Sequence, residues 1–416
     1  MLVYEFASGG GLAGQAVPAS LVREGLAMRT ALVADLAAIG GHEIVTTTDI
    51  RFTRAAPSGV EVVPILPGGA ATLDALMASA DAVWLVAPET NRCLERLAAR
   101  VEQRGKKLLG PGAAVIRRAS DKGTLPHRLA RSGVRHPQTC VLAPASAKVG
   151  SPCDPTSQCW LADRFCGPLR RGRPGVDARM AAREIGYPVV VKPGRGAGSQ
   201  GVRLVRDAGD LRDALDAAHR ANGSGSLDRY AGFCGDFAGV APEPHSGPGA
   251  RSAPRDTAHQ TRGSTGISRG GAPCLVMQGY VRGTAASVSL LADGRHAVPL
   301  AVNAQQVSAS SGFCYRGGRT PFDHPLAAAA ADAALRTCAA LPGLRGYVGV
   351  DLVLTEAEPF VIEVNPRLTT AYLGVRAVLE ENVAALALAA CAGILPPQPI
   401  ARRRVRFTAA GQITSM

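Results

Sequence analysis

Aromatic residues are scarce in this chain: seven tyrosines, nine phenylalanines and two tryptophans in 416 residues. With so few aromatic side chains for bases to stack on, and no nucleic-acid-binding motif, nucleic acid is not the expected partner. Long apolar runs are missing too. No stretch reaches the roughly eighteen apolar residues that a membrane helix needs, so no membrane partner is expected. Met1-Leu-Val-Tyr-Glu-Phe6 has no basic region ahead of an apolar core, so a secretory leader is not expected and cytoplasm is the expected location. The ten cysteines form no C-x-x-C pair. Cys153, Cys159 and Cys166 are wrongly spaced for a zinc ribbon, and reduced thiols are expected. Acidic residues fall short of basic ones, giving a formal net charge of +13. Much of the arginine lies in two irregular stretches and in Arg402-Arg403-Arg404, and an anionic small substrate is the simpler reason for the excess.

The length suits two or three domains, and nearly half of the residues are apolar, enough for a large core. The first third alternates strands with helices. Leu2–Phe6, His42–Thr46, Val60–Ile65 and Ala82–Ala87 read as strands. Helices are expected from about Pro18 to Ile39 and from Thr72 to Ser79, which implies an open, mostly parallel sheet. Gly9, Gly11 and Gly14 fit the G-x-G-x-x-G dinucleotide pattern after a strand, so an NAD-dependent oxidoreductase is one reading. The acid expected about twenty residues on is missing, since Asp49 comes too late. The glycines then read as a turn allowing close backbone approach to a ligand or a neighbouring domain. Glu89, at a strand's carboxyl end, is a candidate ligand contact or a helix cap.

Three further stretches carry chemistry. Pro188-Val-Val-Val-Lys-Pro193 is a valine strand with one inward lysine, Lys192, followed by Gly194-Arg-Gly-Ala-Gly-Ser-Gln-Gly201. An unpaired buried charge is costly, so the lysine needs an anion. Four glycines in eight residues let backbone N–H groups close over phosphate oxygens. The order strand, loop, strand, without G-K-[ST], excludes a Walker A loop. Ser120-Asp121-Lys122 is expected to open a helix ending near Gly133. Gly349–Leu354 and Phe360–Thr369 read as a hairpin. Glu363 and Asn365 share one strand face with Asp351 beside them, a hard-oxygen set suited to magnesium on nucleotide phosphates. The same pattern also fits ordinary solvent-facing strand residues.

Asp351 with Glu363-Val-Asn365-Pro366-Arg367 resembles the metal signature of the ATP-grasp superfamily, and Lys192 with its glycine loop resembles that family's phosphate lysine and flap. The resemblance implies an α/β (α+β lobes) chain with an N-terminal Rossmann-like pre-ATP-grasp domain at 1–115. A two-lobed ATP-grasp fold would follow, with a nucleotide-binding lobe at 116–279, a metal-binding lobe at 280–396 and a basic tail at 397–416. It implies ATP and magnesium, with manganese as a substitute, held by Asp351, Glu363 and Asn365. Lys122, Lys192, Gly194, Gly196, Gly198, Ser199 and Gly201 would hold phosphates. Gln278 and Val281, on a hinge strand from Cys274 to Gly283, would meet adenine. Lys192 and Arg367 would be the catalytic pair. The family's acid for ribose is absent near this hinge, where Gly279, Arg282 and Ala286 stand.

Glu5-Phe-Ala-Ser-Gly-Gly-Gly11, together with Asn303, Gln305, Tyr315 and Gly317-Gly318, is similar to ligases close to the tyramine–glutamate ligase of methanofuran biosynthesis; Tyr315 also fits a plain core role. The implied activity joins a carboxylate to an amine through an acylphosphate, releasing ADP and phosphate, with small-molecule substrates and a homodimer as partners. A carboxylase resembling biotin carboxylase, or a nucleotide-binding protein without ligase activity, are the alternatives. Thr369-Thr-Ala-Tyr372 stands where carboxylases carry a Glu-His pair. Residues 147–177 and 222–273, rich in Gly, Pro, Ser and Arg without hydrophobic period, read as irregular insertions.

Overall fold

A computed structural model describes residues 1–52, 56–142, 177–196, 198–222, 275–308 and 312–416. Apart from Asp177 and Asn222, the two expected insertions lie outside the described residues.

The N-terminal part is a five-stranded parallel sheet of β1 (Leu2–Glu5), β2 (Ile44–Asp49), β3 (Val60–Ile65), β4 (Ala82–Val86) and β5 (Lys107–Leu108), in the order β3-β2-β1-β4-β5. Strand β1 is central and wholly buried, which is why Leu2, Val3 and Tyr4 read as a buried run before Glu5. Helices α1 (Ala19–Ile39), α2 (Ala70–Ser79) and α3 (Cys93–Gln103) connect the strands. The strand order reverses between β1 and β4, so the crevice at their carboxyl ends is where such a sheet presents ligands. The glycine-rich loop after β1 does not open onto that crevice as a phosphate cradle. A Cβ on Gly10, whose φ is +101°, would come within 2.4 Å of Ile65, and one on Gly11 would meet the Phe6 ring at 2.4 Å. Ala7 and Ser8 donate their backbone N–H groups to the Glu5 carboxylate at 2.9 and 2.6 Å. The glycines therefore let the loop pack on its own sheet, and the close approach expected towards a ligand or another domain is internal.

Two short helices, α4 (Ala113–Ala119) and α5 (Leu125–Arg131), lead into the next part. Ser120-Asp121-Lys122 was expected to open a helix; it lies in the turn between these two, where Asp121 Oδ1 accepts from the N–H of Gly123 and of Thr124. A four-stranded antiparallel sheet follows, in the order β6-β9-β7-β8, from β6 (Thr139–Val141), β7 (Val189–Pro193), β8 (Arg203–Val205) and β9 (Leu275–Gly279). Helices α6 (Ala178–Ile185) and α7 (Leu211–Asn222) cover it, burying Ala181, Ala182 and Leu211 against Val189, Val191 and Met277.

The largest sheet has seven antiparallel strands: β10 (Thr284–Asp293), β11 (Ala297–Ser308), β12 (Cys314–Thr320), β13 (Arg345–Leu354), β14 (Pro359–Asn365), β15 (Val405–Thr408) and β16 (Ile413–Ser415), in the order β14-β13-β10-β11-β12-β15-β16. Helix α8 (Ala327–Ala339) buries Ala330, Ala333 and Ala334 in one core of this lobe. The sequence suggests one last helix from about Ala377 to Ala390. There are two instead, α9 (Tyr372–Val378) and α10 (Val383–Cys391), because Leu379 is extended and the Asn382 side chain caps a fresh start by accepting from Ala385 N–H. Residues beyond 397, set apart above as a basic tail, supply β15 and β16. The alternation of Val405 and Phe407, both buried, with outward arginines carries that strand into the sheet.

The N-terminal domain grips the segment that follows β14. The Asp35 carboxylate of α1 accepts from Arg376 Nε at 2.8 Å and from the Tyr372 hydroxyl, and the Asp35 carbonyl accepts from Asn382 Nδ2 at 2.8 Å. The Thr370 hydroxyl donates to Glu24.

Candidate functional site

Strands β13 and β14 put Asp351 directly opposite Glu363 and Gly349 opposite Asn365. The register slips just after Asp351. The carboxylates therefore face each other across one strand pair, half-buried. Asp351 Oδ1 accepts from Gln305 Nε2 and Oδ2 from Asn365 Nδ2, both at 2.9 Å. Burial and the neighbouring Glu363 push the Asp351 carboxyl up to about 7. Burial also works against ionised Glu363, but the Lys122 and Lys192 ammoniums outweigh it and hold Glu363 down at about 2.

Both lysines come from elsewhere in the chain. Lys122 Nζ lies 3.0 Å from Glu363 Oε2 and donates to the Gly196 carbonyl at 2.9 Å, while its backbone N–H donates to the Gly194 carbonyl at 3.1 Å. Its turn thus ties the first part of the glycine loop to the carboxylate pair. Lys192 is 4% exposed on β7, and burial lowers its ammonium to about 8 in spite of Glu363. Among the described residues no carboxylate lies within ion-pair distance of it. Arg195, the next cation in the loop, reaches Asp121 at 3.3 Å and Glu95 at 3.5 Å.

Arg367 follows β14 and turns to the N-terminal domain. Its Nε and Nη2 donate to the two Glu89 oxygens at 2.8 and 3.0 Å, and its Nη1 to the Leu368 carbonyl at 3.2 Å. Burial alone would lower this guanidinium, but Glu89 raises it.

The fold thus brings Lys122, Lys192, Gly194, Gly196, Asp351, Glu363 and Asn365 together, with Arg367 beside them. Gly198, Ser199 and Gly201 form the outer part of the loop, all at positive φ (65°, 57° and 71°); Gly201 packs under α7, where a Cβ would come within 2.4 Å of Ala221. The Gln278 side chain is buried and donates to Thr139 Oγ1 at 2.9 Å, and its main chain lies between β6 and β7. Val281, half-buried past the end of β9, stays on the hinge.

Gln305, named above with Asn303 in the ligase-like pattern, holds Asp351. Three residues, Arg195, Glu24 and Glu95, escaped the sequence reading as parts of this site. Arg195 sits inside the glycine loop, where the pattern gives meaning only to the glycines. Glu24 and Glu95 lie on helices whose pattern says nothing of a partner in another domain. Glu95 is 7% exposed and meets Arg92 at 2.5 Å as well as Arg195.

The donor chemistry fits a divalent cation. Two carboxylates that cannot both ionise unaided leave a place for positive charge, with oxygen donors only, as magnesium prefers.

Known proteins resemble this chain in sequence and in fold. The family model described as "ATP-grasp domain" matches residues 243–371, and "pre ATP-grasp 3 domain" matches 42–116. "Carbamoyl-phosphate synthase L chain, ATP binding domain" matches 171–229. Tyramine–L-glutamate ligase of Methanocaldococcus fervens is 35% identical over 102 residues, 24% of this chain and 33% of that protein. The enzyme of the same name from Methanocaldococcus jannaschii is 34% identical over 102 residues, covering 24% and 32%. The match thus spans about a third of each of these relatives. Among solved structures, an ATP-grasp superfamily protein from Archaeoglobus fulgidus superposes with a TM-score of 0.58 at 21% identity, over 97% of this chain and 91% of that one. Biotin carboxylase from Campylobacter jejuni gives 0.61 at 15% identity, over 97% and 74%.

Proposed function

The chain has the ATP-grasp fold behind a pre-ATP-grasp domain, and from that premise we propose that it is an ATP-dependent ligase joining a carboxylate to an amine. The observation that carries this is the convergence of two buried lysines and a glycine loop from one lobe on the Asp351–Glu363 pair of the other. Cations and backbone donors on one side and oxygen donors on the other suit a triphosphate with its metal. Magnesium, held by Asp351, Glu363 and Asn365, would neutralise charge on the phosphates.

In this reading a carboxylate oxygen attacks the γ-phosphorus of ATP, the bond to the ADP oxygen breaks, and an acylphosphate forms. The amine nitrogen then attacks the acyl carbon, the bond to phosphate breaks, and the amine loses a proton as the amide forms. Lys122 and Lys192 hold the transferred charge and Arg367 steadies the phosphoryl group. Lys122 would exchange its contact with the Gly196 carbonyl for a phosphate oxygen. No side chain serves as a covalent nucleophile. Glutamate and tyramine, from the relatives' names, are the first carboxylate and amine to test. Mass spectrometry of mixtures with ATP and magnesium should show the amide together with ADP; turnover of NADH instead would refute the reading.

A further inference from the structure

Glu89 lies at the carboxyl end of β4, in the crevice where the strand order reverses, and its side chain leaves its own domain. Its backbone is firmly set: Leu94 N–H donates to the Pro88 carbonyl at 3.0 Å and Arg92 N–H to the Glu89 carbonyl at 3.1 Å. Asn91 and Arg92 are held at φ of 53° and 60°, a left-handed conformation that non-glycine residues seldom adopt. Arg92 is fixed there by a fork onto Glu95, with Nε and Nη2 at 2.8 and 2.5 Å from its oxygens. A rigid, locally strained turn thus presents Glu89 to the other domain. Glu89 is 4% exposed and meets Arg367 through two parallel hydrogen bonds. A guanidinium has five N–H groups in one plane. Glu89 takes the Nε and one Nη2 hydrogen and Leu368 takes one on Nη1, which leaves one hydrogen on each Nη in a plane the fork has fixed.

We propose that Glu89 is a positioning residue for the ligase reaction: through this one carboxylate the N-terminal domain aims the free Nη hydrogens of Arg367 at the phosphoryl group. The inference rests on the ligase reading above. Planar, bidentate contacts lose their value when the fork can rotate, so the supporting carboxylate governs phosphate binding without touching phosphate.

The test is calorimetric titration of inorganic phosphate into the full chain saturated with MgADP. Glu89→Gln, which keeps the shape, should weaken phosphate about tenfold and leave MgADP affinity unchanged, the low end of what losing an orienting partner costs. In an Arg367→Ala background the same change should have no effect, because Glu89 then has nothing to aim. Thermal melting of each variant checks folding; if Glu89→Gln does not fold, Glu89→Asp, whose shorter side chain cannot keep both bonds, should show the same weakening and the same loss of effect without Arg367. Unchanged phosphate affinity in the single variant, tighter binding, or an equal effect with and without Arg367 would overturn the inference. Failure of the wild type to bind MgADP at all would instead overturn the ligase reading.

Discussion

Lys192 sits in a strand of valines with its ammonium lowered to about 8 by burial, and the charge it still carries at neutral pH faces Glu363. A phosphate group brought alongside would compensate it better than a half-buried carboxylate does. Lys192→Ala should therefore weaken MgADP binding by a few kcal/mol, about the worth of a buried charged hydrogen bond, while leaving the melting temperature near that of the wild type. Equal MgADP affinity in calorimetry would remove Lys192 from the site. Asp351 gives a pH prediction. Its carboxyl is raised from 3.8 to about 7, so the folded state binds more protons than the unfolded one between those values. Its contribution to stability is full below 3.8 and is lost as the pH rises through about 7. Cation binding runs the other way. The proton must leave first, so magnesium affinity should fall about tenfold per unit below pH 7 and level off above it. Glu363→Gln should move that dependence to lower pH, since burial of Asp351 remains, and should remove most of the binding. A flat profile from pH 5.5 to 8 would show that the pair is not the cation site.

At the scale of elements, the same features decide what could be read from sequence. Buried parallel strands such as β1 and β4 were legible because both faces are covered and, apart from Glu5 at the end of β1, their residues are apolar or aromatic. The hairpin of β13 and β14 was legible from apolar residues flanking a polar one in each strand, with a short turn between, and the two-residue period of a strand put Glu363 and Asn365 on one face. The break between α9 and α10 was not. It depends on extended Leu379 and on Asn382, whose side chain caps α10 and bonds the Asp35 carbonyl of another domain, and no local pattern records that contact. Strand β15 was hidden by its arginines, since the basic run drew attention away from buried Val405 and Phe407. Phe407→Ala should cost about 3–5 kcal/mol, as for other fully buried phenylalanines, and chemical denaturation should show an earlier midpoint. A shift within error would mean that β15 is not part of the core.

Across the whole molecule, the site is built where three sheets and their helices meet, and one core runs through the N-terminal part and the large sheet. The N-terminal domain holds the segment after β14 through Asp35, Glu24 and Glu89, so that domain and the large sheet share one seam. The smaller sheet adds Lys192 and the glycine loop from the other side, tied across by Lys122 to Glu363. Asp35→Ala would leave Arg376 and the Tyr372 hydroxyl without their carboxylate, and should lower stability by about 1–3 kcal/mol; coincident loss of MgADP binding is not expected, since Asp35 stands apart from Lys122 and Lys192. The measurement that bears most directly on the account is the identity of the nucleotide product. Incubated with ATP, magnesium, a substrate carboxylate and its amine, the chain should release ADP and inorganic phosphate in equal amounts, with neither formed when magnesium or the carboxylate is left out. Release of AMP with pyrophosphate would contradict the acylphosphate chemistry proposed for these residues.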